Sequence, residues 1–286
     1  MKVFVTGASG FVGRALVSRL AQSGHQTVPW SRRQEGDLTD ASLDPKLRTA
    51  LKGCDAVVHL AAKTSEAPSS EGHSSSVNVE GTAKLASFAK EAGVKKFVFV
   101  SSQSAKLTNP GPYGATKKRA EGIVAASGLD YVILRPAIIY GAGEAGIFKK
   151  FVTIVDKLPL IPIPYTRVTF QPVFVKDVVD AIVSSMEKSS LPVREYDVAG
   201  PDSVSFPGLI VEVAKAKGLK RILLPIPMPL AIFGARLLAL VIKRPPVTVD
   251  NLLGLSEKTD IDLKPLTDTL KVRPVSLKDG LAASFK

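Results

Sequence analysis

"TGASGFVG", Thr6 to Gly13, decides how this chain is read. It follows Lys2-Val3-Phe4-Val5, a short β-rich apolar run, and opens Phe11 to Ser23, a helical pattern that Gly24 ends. Three glycines, Gly7, Gly10 and Gly13, thus stand where a strand becomes a helix. A tight turn needs a residue that tolerates positive φ. A backbone that approaches a diphosphate carries no side chain there, and the last glycine lets helix pack closely on strand. The spacing is Gly-x-x-Gly-x-x-Gly rather than the commoner Gly-x-Gly-x-x-Gly, and the physics is similar. The helix N-terminus presents free N–H groups and its positive dipole end. Gly7, Ser9, Gly10, Phe11, Val12 and Gly13 are therefore candidate contacts of a dinucleotide.

Working outward, β-rich runs and helical stretches alternate: strands at Gln26–Trp30, Asp55–Leu60, Lys96–Val100 and Tyr131–Leu134, helices at Val77–Glu91 and Tyr113–Ser127. That pattern predicts an α/β fold, a doubly wound parallel sheet of Rossmann type. After Tyr140 the prolines multiply and the alternation becomes irregular, which predicts a smaller C-terminal substrate lobe. Val178–Lys188 reads as a helix that returns to the sheet and Glu195–Ala199 as a late strand. The expected partition is a dinucleotide-binding domain over 1–165, joined by 173–200, and a lobe mostly over 200–286 to which 141–172 contribute. Thr64–Ser76, "TSEAPSSEGHSSS", reads as a lid or a plain solvent loop.

The formal net charge of +12 suits an anionic ligand such as a dinucleotide, or is ordinary surface lysine. The cations are scattered without interleaved aromatics, so no nucleic-acid partner is expected. One cysteine, Cys54, excludes an intrachain disulfide framework and fits a reducing cytosol. Ile222–Ile242 is strongly apolar but carries three prolines and Arg236. It reads first as a buried helix or lobe interface, with a membrane-surface or partner-binding face as the alternative; its continuous apolar part is too short to span a bilayer, and membrane association is not the expectation. Three scattered histidines offer no metal-ligand spacing, so no metal is expected; His59, inside a strand, reads as a core residue.

The end of the second strand bears on which dinucleotide binds. A carboxylate about 20 residues past the glycines holds a ribose 2′-hydroxyl in NAD-type sites. Here the stretch reads Trp30-Ser31-Arg32-Arg33. Ser31 and the two guanidiniums suit a 2′-phosphate, which predicts NADP(H) over NAD(H); the alternative is two solvated arginines. Asp37 is placed to accept from the adenine amino group while Leu38 packs on the ring.

"YGATK", Tyr113 to Lys117, opens a helix and sets a phenol and an ammonium four residues apart on one face. A neighbouring cation favours phenolate, and such a tyrosine gives or takes a proton on a substrate oxygen. The preceding strand ends in Ser101-Ser102, and a hydroxyl there is able to hold the same oxygen.

At this point the chain resembles the short-chain dehydrogenase/reductase superfamily in its extended and atypical branch, the NAD-dependent epimerase/dehydratase-like proteins. The resemblance rests on "TGASGFVG", "GDL" (36–38), "VVHLAA" (57–62), "NVEGT" (78–82), "FVFVSS" (97–102), "YGATK", "RPAIIYG" (135–141), "FQPVFVKDVVDAI" (170–182) and "DVAGP" (197–201). It implies Tyr113 as catalytic acid/base, Lys117 as the residue that binds the nicotinamide ribose and tunes Tyr113, and Ser102, before Ser101, as the group that polarises the substrate oxygen. It places Leu60, Ala61, Ala62, Asn78 and Pro136 along the coenzyme. Lys63, Thr64, Ser104, Phe148 and Lys149 fall where the substrate pocket opens. The implied activity is that of an NADP(H)-dependent oxidoreductase or epimerase acting on a carbonyl or secondary alcohol, with nucleotide-linked sugars among the substrates it would include. Two copies pairing through the Tyr113 helix is also implied. Departures are visible: only about ten residues separate Ser102 from Tyr113, and Phe170 stands where several sugar-nucleotide enzymes place an arginine. These departures resemble the subgroup related to the nucleotide-binding accessory subunit of respiratory complex I. The alternative function is a non-catalytic NADP(H)-binding protein that docks on a membrane or respiratory complex.

Overall fold

The computed structural model describes residues 1–63, 76–144, 146–164, 168–241 and 260–285. Apolar runs too short for helices become strands β1 (Lys2–Thr6), β2 (Gln26–Trp30), β3 (Ala56–His59), β4 (Lys96–Val100) and β5 (Tyr131–Pro136). The longer segments between them form α1 (Phe11–Gln22), α2 (Asp44–Leu51), α3 (Gly81–Glu91) and α4 (Gly111–Ala126). Then come β6 (Ile139–Tyr140), α5 (Ile147–Lys157), β7 (Leu160–Pro164), β8 (Thr169–Phe170), β9 (Val173–Phe174) and α6 (Val175–Glu187). The chain continues through β10 (Glu195–Val198), β11 (Val204–Ser205), α7 (Phe206–Ala216), β12 (Ile222–Ile226), α8 (Met228–Val241) and α9 (Leu277–Ser284).

Six strands form one wholly parallel sheet in the order β10-β5-β4-β3-β1-β2. This is the doubly wound α/β fold the alternation predicts. Helices cover both faces, which is why Val3–Val5 of β1, Ala56–Val58 of β3 and Phe97–Val100 of β4 are continuously apolar rather than alternating. On one face Phe4, Val57, Phe97 and Phe99 pack with Leu47 and Leu51 of α2, Leu85 and Phe88 of α3 and Val124 of α4. On the other, α1 lies beside α6, and Arg19 pairs with Asp180 at 3.5 Å. The chain passes from β1 to β2 on one side and then to β3 on the other. Strand order therefore reverses between β1 and β3, and the carboxyl ends of those two strands, Thr6-Gly7 and His59-Leu60, border the crevice where open α/β sheets bind ligands.

The chain divides into two compact units. The first comprises 1–136, 175–198 and 261–273, and the second 137–174, 199–260 and 274–286. Segment 261–273 belongs with the sheet because Leu266 and Leu270 are buried and the Asp262 N–H donates to Asp197 Oδ2 at 3.1 Å. The second unit has its own core of Tyr140, Phe148, Phe151, Ile161, Ile163, Leu209, Val213 and Leu281. In it β7 pairs with β12 in parallel and β8 with β11 antiparallel. A Cβ on Gly280 would fall 2.1 Å from Tyr140 Oη, so α9 approaches that ring only with glycine there.

The described part of the apolar segment, 222–241, is not a single helix. Pro225 and Pro227 lack the N–H a helix needs, so its first part pairs as β12 and only Met228 onward is helical. Among the described residues no helix is long and apolar enough to cross a membrane.

Candidate active site

The turn after β1 has the geometry its glycines predict. Gly7 sits at φ +68°, and the Gly10 N–H closes the turn onto the Gly7 carbonyl at 2.9 Å. A Cβ on Gly7 would meet the Ala61 nitrogen at 2.9 Å, so β1 and β3 abut at backbone distance. A Cβ on Gly13 would fall 2.2 Å from the Gly7 carbonyl oxygen; only glycine lets α1 start this close to the strand. No side chain caps the α1 N-terminus and its first turn holds no acidic residue. Ser9 and Gly10 are exposed, Phe11 and Val12 half-buried. This cradle of bare backbone and unused N–H groups fits a dinucleotide diphosphate.

Thr6 and His59 hold the two strand ends together. Thr82 Oγ1 donates to the Asn78 carbonyl at 2.7 Å, so it must accept from His59 Nε2 at 3.0 Å. His59 Nδ1 then accepts from Thr6 Oγ1 at 2.6 Å. Thr6 Oγ1 in turn accepts from the Leu60 and Ala61 N–H groups, both at 3.1 Å. His59 is completely buried, and burial lowers its pKa to about 3, with Lys117 adding to the shift. It is the core residue the strand pattern predicts, with every polar atom satisfied. Leu60, Ala61 and Ala62 follow it, half-buried, at the sheet's carboxyl edge.

At the end of β2, Ser31 is buried. Its N–H and its Oγ both donate to Glu35 Oε2, at 2.5 and 3.1 Å. Arg32 and Arg33 are exposed and form no ion pair among the described residues. Asp37 accepts from the Thr39 N–H and hydroxyl at 3.0 and 2.8 Å. Leu38 lies in the core, its Cβ 3.4 Å from where a Cβ on Gly81 would stand.

Ser102 caps the short helical turn Gln103–Lys106. Its Oγ accepts from the Ser104 N–H at 3.1 Å and donates to Ser104 Oγ at 3.2 Å. Ser102 and Ser104 are half-buried, whereas Ser101 is buried with its hydroxyl unpartnered, so Ser102 is the more accessible of the pair. α4 runs against this turn: a Cβ on Gly114, the glycine of "YGATK", would fall 2.5 Å from the Ser104 carbonyl oxygen. Tyr113 is half-buried in the first turn of α4. Lys117, four residues on, is 2 % exposed. Its Nζ donates to the Val100 carbonyl at 2.7 Å and lies 4.1 Å from the centroid of the Phe99 ring. Burial lowers its pKa to about 7, and Glu121 opposes the shift.

Asn78 is a clamp. Its side chain accepts from the Lys63 N–H at 2.8 Å and donates to the Lys63 carbonyl and to Thr116 Oγ1 at 3.1 and 3.0 Å. Thr116 donates onward to the Tyr113 carbonyl at 2.8 Å. Asn78 thereby fixes the backbone at Lys63 and the turn that carries Tyr113. Pro136 is buried where β5 pairs with Val198 of β10. In the second unit Phe148 belongs to the core, its ring 5.3 Å from that of Tyr140, and Lys149 is exposed on α5. Thr64, with the rest of its loop to Ser75, lies outside the described residues.

Sequence reasoning missed Gln103, Lys106 and Asp197. Gln103 Nε2 donates to Asp197 Oδ1 at 2.7 Å and to the Arg135 carbonyl at 2.9 Å, and Lys106 pairs with Asp197 Oδ2 at 2.8 Å. They tie the Ser102 turn to β5 and β10. The one sequence signal was Asp197 in "DVAGP", an acid between the buried Tyr196 and Val198 of its strand.

Residues 3–199 match the family described as the NAD dependent epimerase/dehydratase family. The chain is similar to UDP-glucose 4-epimerase of Vibrio cholerae, 29% identical over 265 residues that cover 79% of each protein. It is 26% identical over 299 residues to NADH dehydrogenase [ubiquinone] 1 alpha subcomplex subunit 9, mitochondrial, of Mus musculus, covering 96% of this chain and 77% of that protein. Uncharacterized mycobacterial proteins are 27% identical over 240 residues, and the match covers 24% of their length. Among solved structures, MoeE5 in complex with UDP-glucuronic acid and NAD has a TM-score of 0.79 at 23% identity, covering 99% of this chain and 97% of that one.

Proposed function

Because the chain belongs to the NAD dependent epimerase/dehydratase family, and is an NAD(P)-dependent enzyme of the short-chain dehydrogenase/reductase type, we propose that it binds NADP(H) in preference to NAD(H) and acts on a carbonyl or secondary alcohol. A bound nicotinamide coenzyme supplies or accepts hydride. The Gly7–Gly13 turn and the α1 N-terminus hold its diphosphate. Arg32 and Arg33 would bind its 2′-phosphate at the end of β2, where Ser31 donates to the Glu35 carboxylate. Tyr113 gives a proton to the substrate oxygen or takes one from it, Ser102 donates a hydrogen bond to that oxygen, and Lys117 favours the phenolate and orients the ribose. The substrate class includes nucleotide-linked sugars, on which the similar Vibrio enzyme acts by its name.

The observation that supports this reading most is Lys117. A lysine almost wholly out of water, hydrogen-bonded to a neutral carbonyl, is costly to the free fold. On the same helix face as Tyr113, that cost has a catalytic reason: burial makes the ammonium a strong partner for a phenolate and a ribose hydroxyl.

Fluorescence titration with NADPH and NADH, followed by a turnover screen of nucleotide sugars and simple carbonyls, tests the reading. Tighter NADPH binding is expected, as is a Tyr113→Phe variant that binds coenzyme normally and turns nothing over. Tighter NADH binding would overturn the coenzyme assignment, and full activity of Tyr113→Phe would overturn the assignment of the acid/base.

A further inference from the structure

In the second unit, β7 and β12 form a two-stranded parallel sheet, a class normally buried on both faces. Ile161, Ile163 and Leu223 turn toward the unit's core. The opposite face presents Leu160 beside Ile222 and Pro162 beside Leu224, with Ile222 70% exposed and Leu160 50% exposed. β12 leads into α8, and the same imbalance recurs there. Met228, Ala231, Ile232 and Ala235 pack against Phe170 and Phe206. Leu230, Phe233 and Leu237, on the other side of the helix, are each about half exposed or more, Phe233 at 60%. A helix that is apolar on both sides needs something against each.

Charge indicates what that something is. Segments 157–164 and 218–241 contain no Asp or Glu. Lys157 and Lys220 precede β7 and β12 at the same end of this small sheet, and Arg236 flanks the exposed stripe of α8. None of these three cations forms an ion pair among the described residues. An isologous contact with a second copy would set these cations near one another with no acid from the described segments 157–164 and 218–241 to offset them. Apolar side chains bordered by unpaired cations match the interface of an anionic bilayer, where the first enter the acyl boundary and the second meet the headgroups.

We propose that this face of the second unit seats on an anionic lipid surface. The association is peripheral, since no described helix is able to span the bilayer. It takes up the second of the two readings that the apolar segment 222–242 allows.

Flotation of the full chain with vesicles tests the proposal. Phosphatidylcholine vesicles are compared with vesicles in which about one third of the lipid is phosphatidylglycerol. Flotation with the anionic vesicles, weakened by high salt, is the expected result. Phe233→Ser should weaken partitioning about tenfold through the lost apolar burial. Lys220→Glu should weaken it at least about fivefold through the lost charge. Both side chains are exposed and outside the coenzyme site, so coenzyme affinity and melting temperature should stay at wild-type values. No flotation with either vesicle would overturn the proposal, as would equal flotation with both. A concentration-dependent doubling of mass in solution that Phe233→Ser abolishes, without flotation, would assign the face to a second copy and overturn it too.

Discussion

Thr6 and His59 meet side chain to side chain at 2.6 Å, and that hydrogen bond links the carboxyl ends of β1 and β3 at the crevice between them. The linkage requires a neutral imidazole that accepts at Nδ1 and donates at Nε2. Its dependence on acid follows in sign. The unfolded chain takes up a proton below about 6.5, whereas in the folded chain burial holds His59 neutral down to about 3. Between those values the unfolded state binds more protons, so stability falls as pH falls through the window. From pH 6.5 to about pH 4, wild type should lose roughly 2–3 kcal/mol more than His59→Gln. Urea denaturation of both proteins across that range checks it, and parallel curves would remove His59 from the account.

Lys117 gives the opposite test. Burial lowers its pKa from 10.5 to about 7. The unfolded chain keeps the proton up to about 10.5 while the folded chain releases it near 7, so stability rises with pH between them. Lys117→Met should therefore be more stable than wild type at neutral pH without coenzyme, by about 2 kcal/mol once the lost bond to Val100 is discounted, and its stability should be flatter above pH 7. Turnover should disappear. A variant less stable than wild type would mean that the ammonium is better solvated than its burial implies.

These two residues show how far the sequence carries. His59 is readable as a core residue because it stands in a four-residue apolar run, and Tyr113 with Lys117 because helical spacing of four is a local property. The first unit was legible for the same reason: its strands and helices are separated by glycines whose conformational needs are written in their neighbours. The partners of His59 were not legible. Thr82 lies 23 residues away on another element, and no periodicity announces a hydroxyl that donates backward to Asn78. Gln103 and Asp197 are 94 residues apart. The second unit was obscure because strands of two residues, such as β6 and β9, have no period to detect. In β12 prolines suppress the helix that the hydropathy suggests.

Asp197 anchors the turn that carries Ser102, and its loss should be felt there. Asp197→Ala leaves Gln103 Nε2 and the Asp262 N–H each short of an acceptor and Lys106 short of a counter-ion. Removing one partner of such a buried network costs on the order of 3 kcal/mol. At temperatures where the variant is folded, kcat should fall while coenzyme affinity holds, since the glycine turn is untouched. Thermal melts and coenzyme titrations read the two effects separately. An unchanged kcat would show that Ser102 does not depend on this anchor.

Gly13 tests the cradle itself. Its missing Cβ would lie 2.2 Å from the Gly7 carbonyl oxygen, whereas one on Gly10 would lie 3.1 Å from the same atom. Gly13→Ala must push α1 away from β1, at about 1–3 kcal/mol in stability and a larger loss in coenzyme affinity. Gly10→Ala needs a smaller adjustment and should retain more of its stability. Isothermal titration of both variants establishes the order; equal effects would mean that backbone approach does not control binding here.

Glu35 and Ser31 offer a test of coenzyme choice. The Ser31 N–H and hydroxyl both donate to one oxygen of Glu35, an arrangement that holds a carboxylate oxygen against the end of β2, next in sequence to two exposed arginines. A 2′-phosphate is the competing anion, and the carboxylate opposes its entry by like charge. Glu35→Gln keeps an acceptor for Ser31 but removes the charge, so NADPH should bind about tenfold more tightly while NADH changes little. Arg32→Ala and Arg33→Ala should do the reverse, each weakening NADPH and sparing NADH. If Glu35→Gln instead weakens NADH and leaves NADPH unmoved, Glu35 is the group that holds the ribose 2′-hydroxyl, and the site selects NAD(H).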